Sequence, residues 1–307
     1  MTLPFDGGGP RPPAAGGLGG DPAPVSPPSS AAPPPAPGRG GRRGRAGLIV
    51  PGAAAGLVVL FALLGPLVVP GSPTAQVGMP FLAPSAAHPL GTDMIGRDVL
   101  ARLAHGGLPV VALAAGSTAL TTLVGFGVGA LSGLSGGQMA ELVVRVVDVV
   151  AVVPALLLLL VLATGFPGSN LAVLVAVALI SAPFSIRVIR AATAQVAGTG
   201  FVEVSRARGE PRRRILRHDI APNIVRPALA EIGLRFSAAV HLTATAGFLG
   251  LGGAAPAPNW GRMVDENSPG VALTVWPFLA PVLALLILSI SVNVLADGLT
   301  ALLADRR

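Results

Sequence analysis

"FVEVSRARGEPRRRILRHDIAPN", residues 201–223, is a densely charged segment in an otherwise apolar chain. It contains six Arg and three acidic residues. Residues 149–186, which precede it, contain no charged side chain, and none follows Arg235 until Arg262. A basic block between two long apolar runs is typical of a cytoplasmic loop between membrane spans. The segment therefore predicts an integral membrane protein and indicates which side of it faces the cytoplasm.

The composition supports a membrane protein and argues against an enzyme. Only 11% of the 307 residues are charged, whereas a soluble domain has about a quarter. There is no Cys, which excludes disulfides and thiol catalysis, and all 21 basic residues are Arg. Because a P-loop needs a Lys on the nucleotide phosphates, we expect no ATP hydrolysis by this chain. The sequence shows no catalytic triad, carboxylate pair or HExxH motif, and its Arg blocks flank apolar runs rather than forming a nucleic-acid footprint.

Six apolar runs are long enough to cross a bilayer, since a transmembrane helix needs about 20 residues. The turn TGFPGSN at 164–170 divides the long uncharged run into two of them. We therefore predict an all-α integral membrane fold with six transmembrane helices in one domain over 47–307. The predicted spans are 47–69, 108–132, 142–163, 171–190, 224–248 and 276–296.

The N-terminal region and the Arg distribution define the predicted orientation. Residues 1–38 contain 12 Pro and eight Gly, so we predict that residues 1–46 form a disordered tail. With both termini in the cytoplasm, 17 of the 21 Arg lie on the inner side and three in outer loops. This asymmetry follows the positive-inside rule and predicts a multi-pass protein of the bacterial plasma membrane.

The local sequence of the basic block suggests more than a lipid-facing loop. Gly209 and Pro211 interrupt it, which predicts a short helix, a turn, and a second helix over 212–219. Basic residues near anionic lipid contribute about 1 kcal/mol each, so contact with lipid alone is one interpretation. The placement of Glu203, Gly209 and Pro222 favours the other interpretation, a docking element for a soluble partner.

This block resembles the EAA signature of permease subunits of ABC-type importers. The signature has a Glu, a Gly six residues later and an Ile-x-Pro close, which match Glu203, Gly209 and Ile220–Pro222. Three further segments resemble the dipeptide- and oligopeptide-permease C branch of the peptide/nickel permease family. They are HPLGTDMIGRDVLARLAHGG (88–107), FLGLGGAAPAPNWGRM (248–263) and VNVLADGLTALLADRR (292–307).

The resemblance implies a type I ABC importer permease fold and a set of partners. These are a second homologous permease, two ATP-binding subunits, an extracytoplasmic substrate-binding protein, and the membrane lipid. It implies a coupling helix at about 200–220 that docks on an ATP-binding subunit, with ATP and Mg on that partner and no cofactor or metal in this chain. The matching positions that we expect to carry coupling are Glu203, Ser205, Arg206, Gly209, Arg212 and Arg213.

Three ionisable residues in the fifth predicted span are candidates for the translocation path. Glu231 and Arg235 have the favourable i, i+4 order, and His241 follows six residues later. Charged groups inside a membrane are costly and face the bundle interior or water. One interpretation is that they line the path. The alternative is an internal ion pair with a neutral histidine.

Other patterns predict structural roles. Gly125, Gly129, Gly133 and Gly137 form a repeated GxxxG, which we interpret as tight helix packing in preference to a moving interface. We expect Asp148 to pair with Arg145, one helical turn away.

A further group of residues on the outer loop could resemble a metal site: His88, Asp93, Asp98 and His105. We expect structural hydrogen bonds from this group instead, with Asp93 and Asp98 capping short helices.

Peptide import by alternating access is the predicted function. Nickel or another small solute such as glutathione is an alternative substrate. A membrane scaffold that has kept the fold without transport is a second alternative, because Val204 and Ser205 stand where the signature has two Ala, and Thr243 where the branch often has Glu.

Overall fold

The computed structural model describes residue 9, residues 41–135 and residues 137–304. This part of the chain is α-helical, with two isolated β-bridges in an outer loop and no strand. Ten α-helices occur in it: α1 (Gly41–Val68), α2 (Val99–Leu134), α3 (Gln138–Val152), α4 (Ala155–Gly165), α5 (Asn170–Ala197), α6 (Gly200–Ala207), α7 (Arg212–Arg214), α8 (Val225–Phe248), α9 (Trp260–Asn267) and α10 (Trp276–Ala304). A π-helical turn (Ile215–Ile220) and two 3-10 turns (Ala221–Asn223 and Ser268–Gly270) connect them.

The predicted all-α membrane architecture is confirmed, and the count of six spans stays a prediction. In the described residues α1, α2, α5 and α10 are long and apolar enough to cross a bilayer, and the bent pair α3–α4 is a fifth candidate. α8 has 24 residues, but it is not among the helices that are apolar enough to qualify. α1 begins at Gly41, six residues before the predicted start. The rest of the predicted tail, except residue 9, lies outside the described residues.

The third predicted span is not one continuous helix. α3 and α4 meet at an angle of 84°. Val153 is extended, with ψ of 124°, and Pro154 caps α4. The cause is local, because a proline ring clashes with a helical conformation of the residue before it. The predicted span over 142–163 therefore consists of two helices with a break at Val153–Pro154, which qualify together as a candidate span.

α2 and α5 pack closely through the first three glycines of the GxxxG pattern. A Cβ at Gly129 would lie 2.8 Å from the Ile186 carbonyl oxygen, and one at Gly133 would lie 2.7 Å from that of Arg190. The prediction of tight packing is confirmed there. Gly137 differs, since it precedes α3 with a φ of +90° and has no neighbouring atom within 4 Å of an added Cβ.

The predicted ion pair on α3 is wrong. Asp148 contacts Arg187 on α5, with Oδ1 and Nη2 2.6 Å apart, while Arg145 lies 3.8 Å from Glu141. Asp148 faces α5, and Arg145 lies on an exposed part of α3. The pair therefore connects two helices instead of stabilising one.

The largest apolar core lies where α1, α2, α5, α8 and α10 meet. The short helix α9 packs on this core. Its Trp260 is fully buried, and the indole Nε1–H donates to the Leu103 carbonyl at 2.8 Å. α2 starts nine residues before the predicted span, where the Asp98 side chain caps it by accepting from the Ala101 N–H. Asp98 thus caps a long helix and not a short one.

Candidate coupling segment and candidate translocation path

Residues 198–224, the connection from α5 to α8, form a folded unit that we call the coupling segment. It comprises α6, a turn, α7, the π-helical turn and a 3-10 turn. The predicted order of helix, turn and helix is therefore present, with the second helix continuing as a π-helical turn. Gly209 makes the turn at a φ of +74°, a conformation that glycine adopts without steric cost. Its N–H donates to the Arg206 carbonyl at 2.9 Å, which ends α6.

An apolar underside holds the coupling segment against the membrane helices. Val202, Ile215, Ile220 and Ile224 are at most 2% exposed. They pack on residues near the ends of α2, α5 and α8: Ala130, Leu134, Ile189, Ala197 and Ala228. Burying each such side chain contributes about 1.5–3 kcal/mol. The segment is therefore anchored on three long helices at once.

The opposite face of the coupling segment is charged and open. Five of the six predicted coupling positions are exposed and Ser205 is half-buried; the exposed ones are Glu203, Arg206, Gly209, Arg212 and Arg213. Among the described residues, the coupling segment contains an ion pair between Arg214 Nε and Glu210 Oε2, which lie 3.4 Å apart. The Arg214 side chain is largely exposed. The remaining Arg residues give the face a net positive charge. The structure thus leaves five of the six predicted positions exposed, while their role in coupling stays a prediction.

Glu231 and Arg235 form an ion pair on α8, on the side that faces α5. Arg235 Nε lies 2.7 Å from Glu231 Oε1, and Glu231 is 4% exposed. The Arg235 guanidinium carbon lies 5.3 Å from the centre of the Phe184 ring on α5, within the range of a cation–π contact. This geometry favours the internal ion pair over an open path position for these two residues.

His241 lies apart from that pair, about 15 Å further along α8 than Glu231 by helical rise. Its Nδ1 is 2.8 Å from the Ser237 carbonyl oxygen. The exposed side chain lines a cavity of about 530 Å³ between α8, α9 and α10. Donation from Nδ1 to that carbonyl leaves Nε2 as a hydrogen-bond acceptor toward the cavity.

Two residues of this cavity were missed by the sequence analysis. Ser289 and Asn293 of α10 line it beside His241. Asn293 Nδ2 donates to Ser237 Oγ at 3.0 Å, while Asn293 Oδ1 and Ser289 Oγ are buried without a partner among the described residues. Their i, i+4 spacing on α10, which is mostly apolar, was the available signal. Polar groups without partners in an apolar cavity can bind a polar ligand.

The outer loop residues that resembled a metal site form hydrogen bonds and ion pairs instead. His88 Nδ1 lies 2.6 Å from Asp98 Oδ2, and His105 Nδ1 lies 2.8 Å from the Ala101 carbonyl oxygen. Asp93 belongs to a separate cluster. In the part of the chain that the structure describes, no group of His, Asp or Glu is arranged to hold a metal ion.

The Asp93 cluster joins the outer loop to α9. Asp93 Oδ2 lies 2.6 Å from Arg97 Nε and 2.5 Å from Arg102 Nη1, and Glu266 Oε2 contacts both arginines at 2.8 and 2.6 Å. Burial raises the pKa of Asp93, but the hydrogen bond from the Arg97 N–H and the charge of Arg102 outweigh it. The pKa of Asp93 is therefore lowered. Asp93 does not cap a helix as predicted.

A family model described as "Binding-protein-dependent transport system inner membrane component" matches residues 125–307. This range contains the coupling segment, α8 and α10. The chain belongs to this family. The match confirms the resemblance to permease subunits of ABC-type importers, and it shows a multi-pass membrane transport component instead of an enzyme.

Several relatives match across most of their length. The chain is 30% identical over 250 residues to the di/tripeptide transport system permease protein of Pseudomonas aeruginosa, covering 79% of this chain and 82% of the relative. It is 32% identical to the dipeptide transport system permease protein of Haemophilus influenzae, covering 79% and 85%. It is 30% identical to the probable D,D-dipeptide transport system permease protein of Escherichia coli, covering 80% and 83%.

A solved structure supports the fold. A chain of the inward-facing MetNI methionine ABC transporter superposes with a TM-score of 0.56 at 20% identity, covering 66% of this chain and 95% of that chain. At this identity the likeness shows the fold alone. It confirms the predicted fold class, the permease fold of type I ABC importers.

Proposed function

We propose that this chain is a pore-forming subunit of an ATP-driven importer of dipeptides and oligopeptides. The observation that carries the proposal is the coupling segment, whose apolar side is anchored on α2, α5 and α8 while its Arg-rich side is open. An element anchored on three spans can transmit a displacement of a soluble subunit to the membrane helices. The names of the relatives support peptides as substrates.

The proposed assembly follows from the family and from this surface. A second homologous permease completes the pore, two ATP-binding subunits supply ATP hydrolysis with Mg, and an extracytoplasmic binding protein delivers the peptide. Both termini and the coupling segment face the cytoplasm of a bacterial cell. Cycles of ATP binding and hydrolysis then alternate access to the pore through this segment.

The test uses the full chain, tagged at its C-terminus and purified from its native membrane with its partners. We expect ATP-binding subunits in the eluate and ATPase activity that peptides stimulate. Gly209→Val should lower this stimulation, because a side chain at a φ of +74° strains the turn. Gly200→Ala is the matched control, since Gly200 lies in α6 without positive φ and with no atom within 4 Å.

Three outcomes would contradict the proposal. Recovery of the chain without an ATPase subunit would reject the coupling role. Equal stimulation in Gly209→Val and Gly200→Ala would reject the turn as part of coupling. Stimulation by nickel or glutathione but not by peptides would replace the substrate class.

We also propose that the His241 cavity contributes to the translocation path. Asn293→Ala should raise the KM for a peptide with little change in kcat, because it removes a uniform binding contact. The double variant Glu231→Gln with Arg235→Leu tests the other candidates. If it leaves transport rate and substrate range unchanged, the ion pair has a structural role only, which its burial favours.

A further inference from the structure

A second groove lies between α3 and α5, on the side of the bundle near the coupling segment. It has a volume of about 330 Å³. On α3 it is lined by Val143, Val144 and Val147, and on α5 by Arg187 and Arg190 among small and aliphatic residues. Neither the family signature nor the candidate path involves it. It combines apolar walls with two guanidinium groups.

The positive charge of this groove is not balanced within the described residues. Arg187 Nη2 is paired with Asp148 Oδ1 at 2.6 Å. Arg190 has no ion pair or hydrogen bond there, and its Nε is buried without an acceptor. The two arginines are three residues apart on one helix and therefore lie on the same face. Arg190 is half-buried, and a buried guanidinium N–H without an acceptor is costly, so the groove favours an anion.

The position of the groove relative to the bilayer identifies the kind of anion. α5 starts at Asn170, and about 20 residues of helix span the ~30 Å hydrocarbon core. Counting from Asn170, this distance ends close to Arg190, at the level where lipid headgroups begin. The valine side chains lie beside the arginines, where acyl chains would follow a headgroup.

We propose that this groove binds the headgroup phosphate of an anionic phospholipid such as phosphatidylglycerol. Arg190 and the free nitrogens of Arg187 contact the phosphate, and the α3 valines contact the acyl chains. Basic pockets between membrane helices on the cytoplasmic side have the chemistry that anionic headgroups require. The inference rests on the membrane placement of α5 and does not depend on the transported substrate.

The test is photolabelling of the purified complex in nanodiscs that contain a photoactivatable phosphatidylglycerol. We expect adducts on peptides that include residues 143–147 and 186–194. Arg190→Gln should reduce this labelling about fivefold, the effect of about one Arg at a lipid surface. Arg145→Gln is the matched control, because it removes one positive charge from α3 at a side chain that is 79% exposed and does not line the groove.

A conservative variant and two further arms separate charge from folding. Arg190→Lys keeps the charge and should retain most of the labelling, and thermal melting of each variant checks its fold. A photoactivatable phosphatidylcholine should label these peptides weakly, and millimolar inorganic phosphate should not displace phosphatidylglycerol. Displacement by free phosphate would reject the acyl contacts.

Other outcomes would overturn the site itself. They are equal labelling in wild type and Arg190→Gln, an equal loss in Arg145→Gln, and cross-linking of these peptides to a partner subunit in place of lipid. ATPase stimulation is not part of this readout. The failure of the lipid site can therefore be distinguished from the failure of the proposed import function.

Discussion

At the residue scale, two buried carboxylates show how differently the same group is used in this chain. Asp93 contacts two arginines and two backbone N–H groups in the outer loop. Glu231 has a single arginine partner within α8. Asp93 thus organises a loop around itself, while Glu231 stabilises one helix surface against α5.

The stability of the folded protein should depend on pH through Asp93. Its pKa is lower in the folded protein than in the unfolded chain. Its contribution to stability is therefore complete above its unfolded pKa of about 4, and is lost as pH falls through the lower folded pKa. Thermal melting in detergent between pH 7 and 2 should show this loss in the wild type.

Asp93→Asn is the comparison for that measurement. This substitution removes the negative charge that Asp93 places beside the two buried arginines. Removing one partner of a buried ion pair costs about 3–5 kcal/mol. Its melting temperature should be lower at pH 7 and should approach the wild-type value under acid conditions. If the melting temperatures of the two proteins changed in parallel at all pH values, the lowered pKa of Asp93 would be contradicted.

At the scale of elements, the contact between α2 and α5 determines how closely the bundle packs. The backbone of α5 approaches the glycines of α2 so closely that an added methyl group meets main-chain atoms. Main-chain atoms in a helix cannot move away as the end of a flexible side chain can. The spacing of these two helices is therefore sensitive to a single carbon atom.

The second prediction follows from this contact. Gly129→Ala should destabilise the protein by about 1–3 kcal/mol, the usual cost of overpacking a core. Gly127→Ala is the matched control on the same helix, because no atom lies within 4 Å of its added Cβ. It should be neutral or stabilising by up to about 1 kcal/mol, since Ala favours helix over Gly. Equal melting temperatures for the two variants would show that α2 and α5 lie further apart than in this structure.

At the scale of the whole molecule, the arrangement of charge predicts its orientation in the membrane. The coupling segment and the Asp93 cluster lie at opposite ends of the long helices, since one follows α5 and the other precedes α2. A chain without Cys allows each end to be labelled at a single introduced thiol.

Cysteine labelling at two exposed positions should reveal the orientation of the chain in the membrane. In intact spheroplasts, a membrane-impermeant maleimide should label Met79→Cys, whose native side chain is 74% exposed. Arg208→Cys, which is exposed in the coupling segment, should react only after the membrane is permeabilised. The cysteine-free wild type is the background control. The reverse labelling pattern would invert the orientation.

Much of the architecture could be predicted from local patterns. The length of the apolar runs predicted where the long helices lie in the sequence, and Gly209 with Pro211 predicted the turn of the coupling segment. The i, i+4 pair of Glu231 and Arg235 was also predictable, because both partners lie on one helix. These features depend on residues close together in the chain.

The remaining features depend on contacts between distant residues. Asp148 pairs with Arg187 because α3 and α5 pack together, which a preference for nearby partners on one helix cannot show. The cavity that joins His241 to Ser289 and Asn293 requires the relative placement of α8 and α10. Asp98 is a sequence signal for the early start of α2, but residues 88–107 resemble a loop segment of the permease branch.

The open face of the coupling segment carries most of its positive charge on arginine. A guanidinium group stays protonated throughout the physiological pH range, so proton concentration cannot adjust the part of the attraction that comes from arginine. Dissolved ions can, because the electrostatic screening length falls from about 30 Å at 0.01 M to about 8 Å at 0.15 M salt. Association through this face should therefore respond to ionic strength, and concentrated salt should separate a partner that binds there.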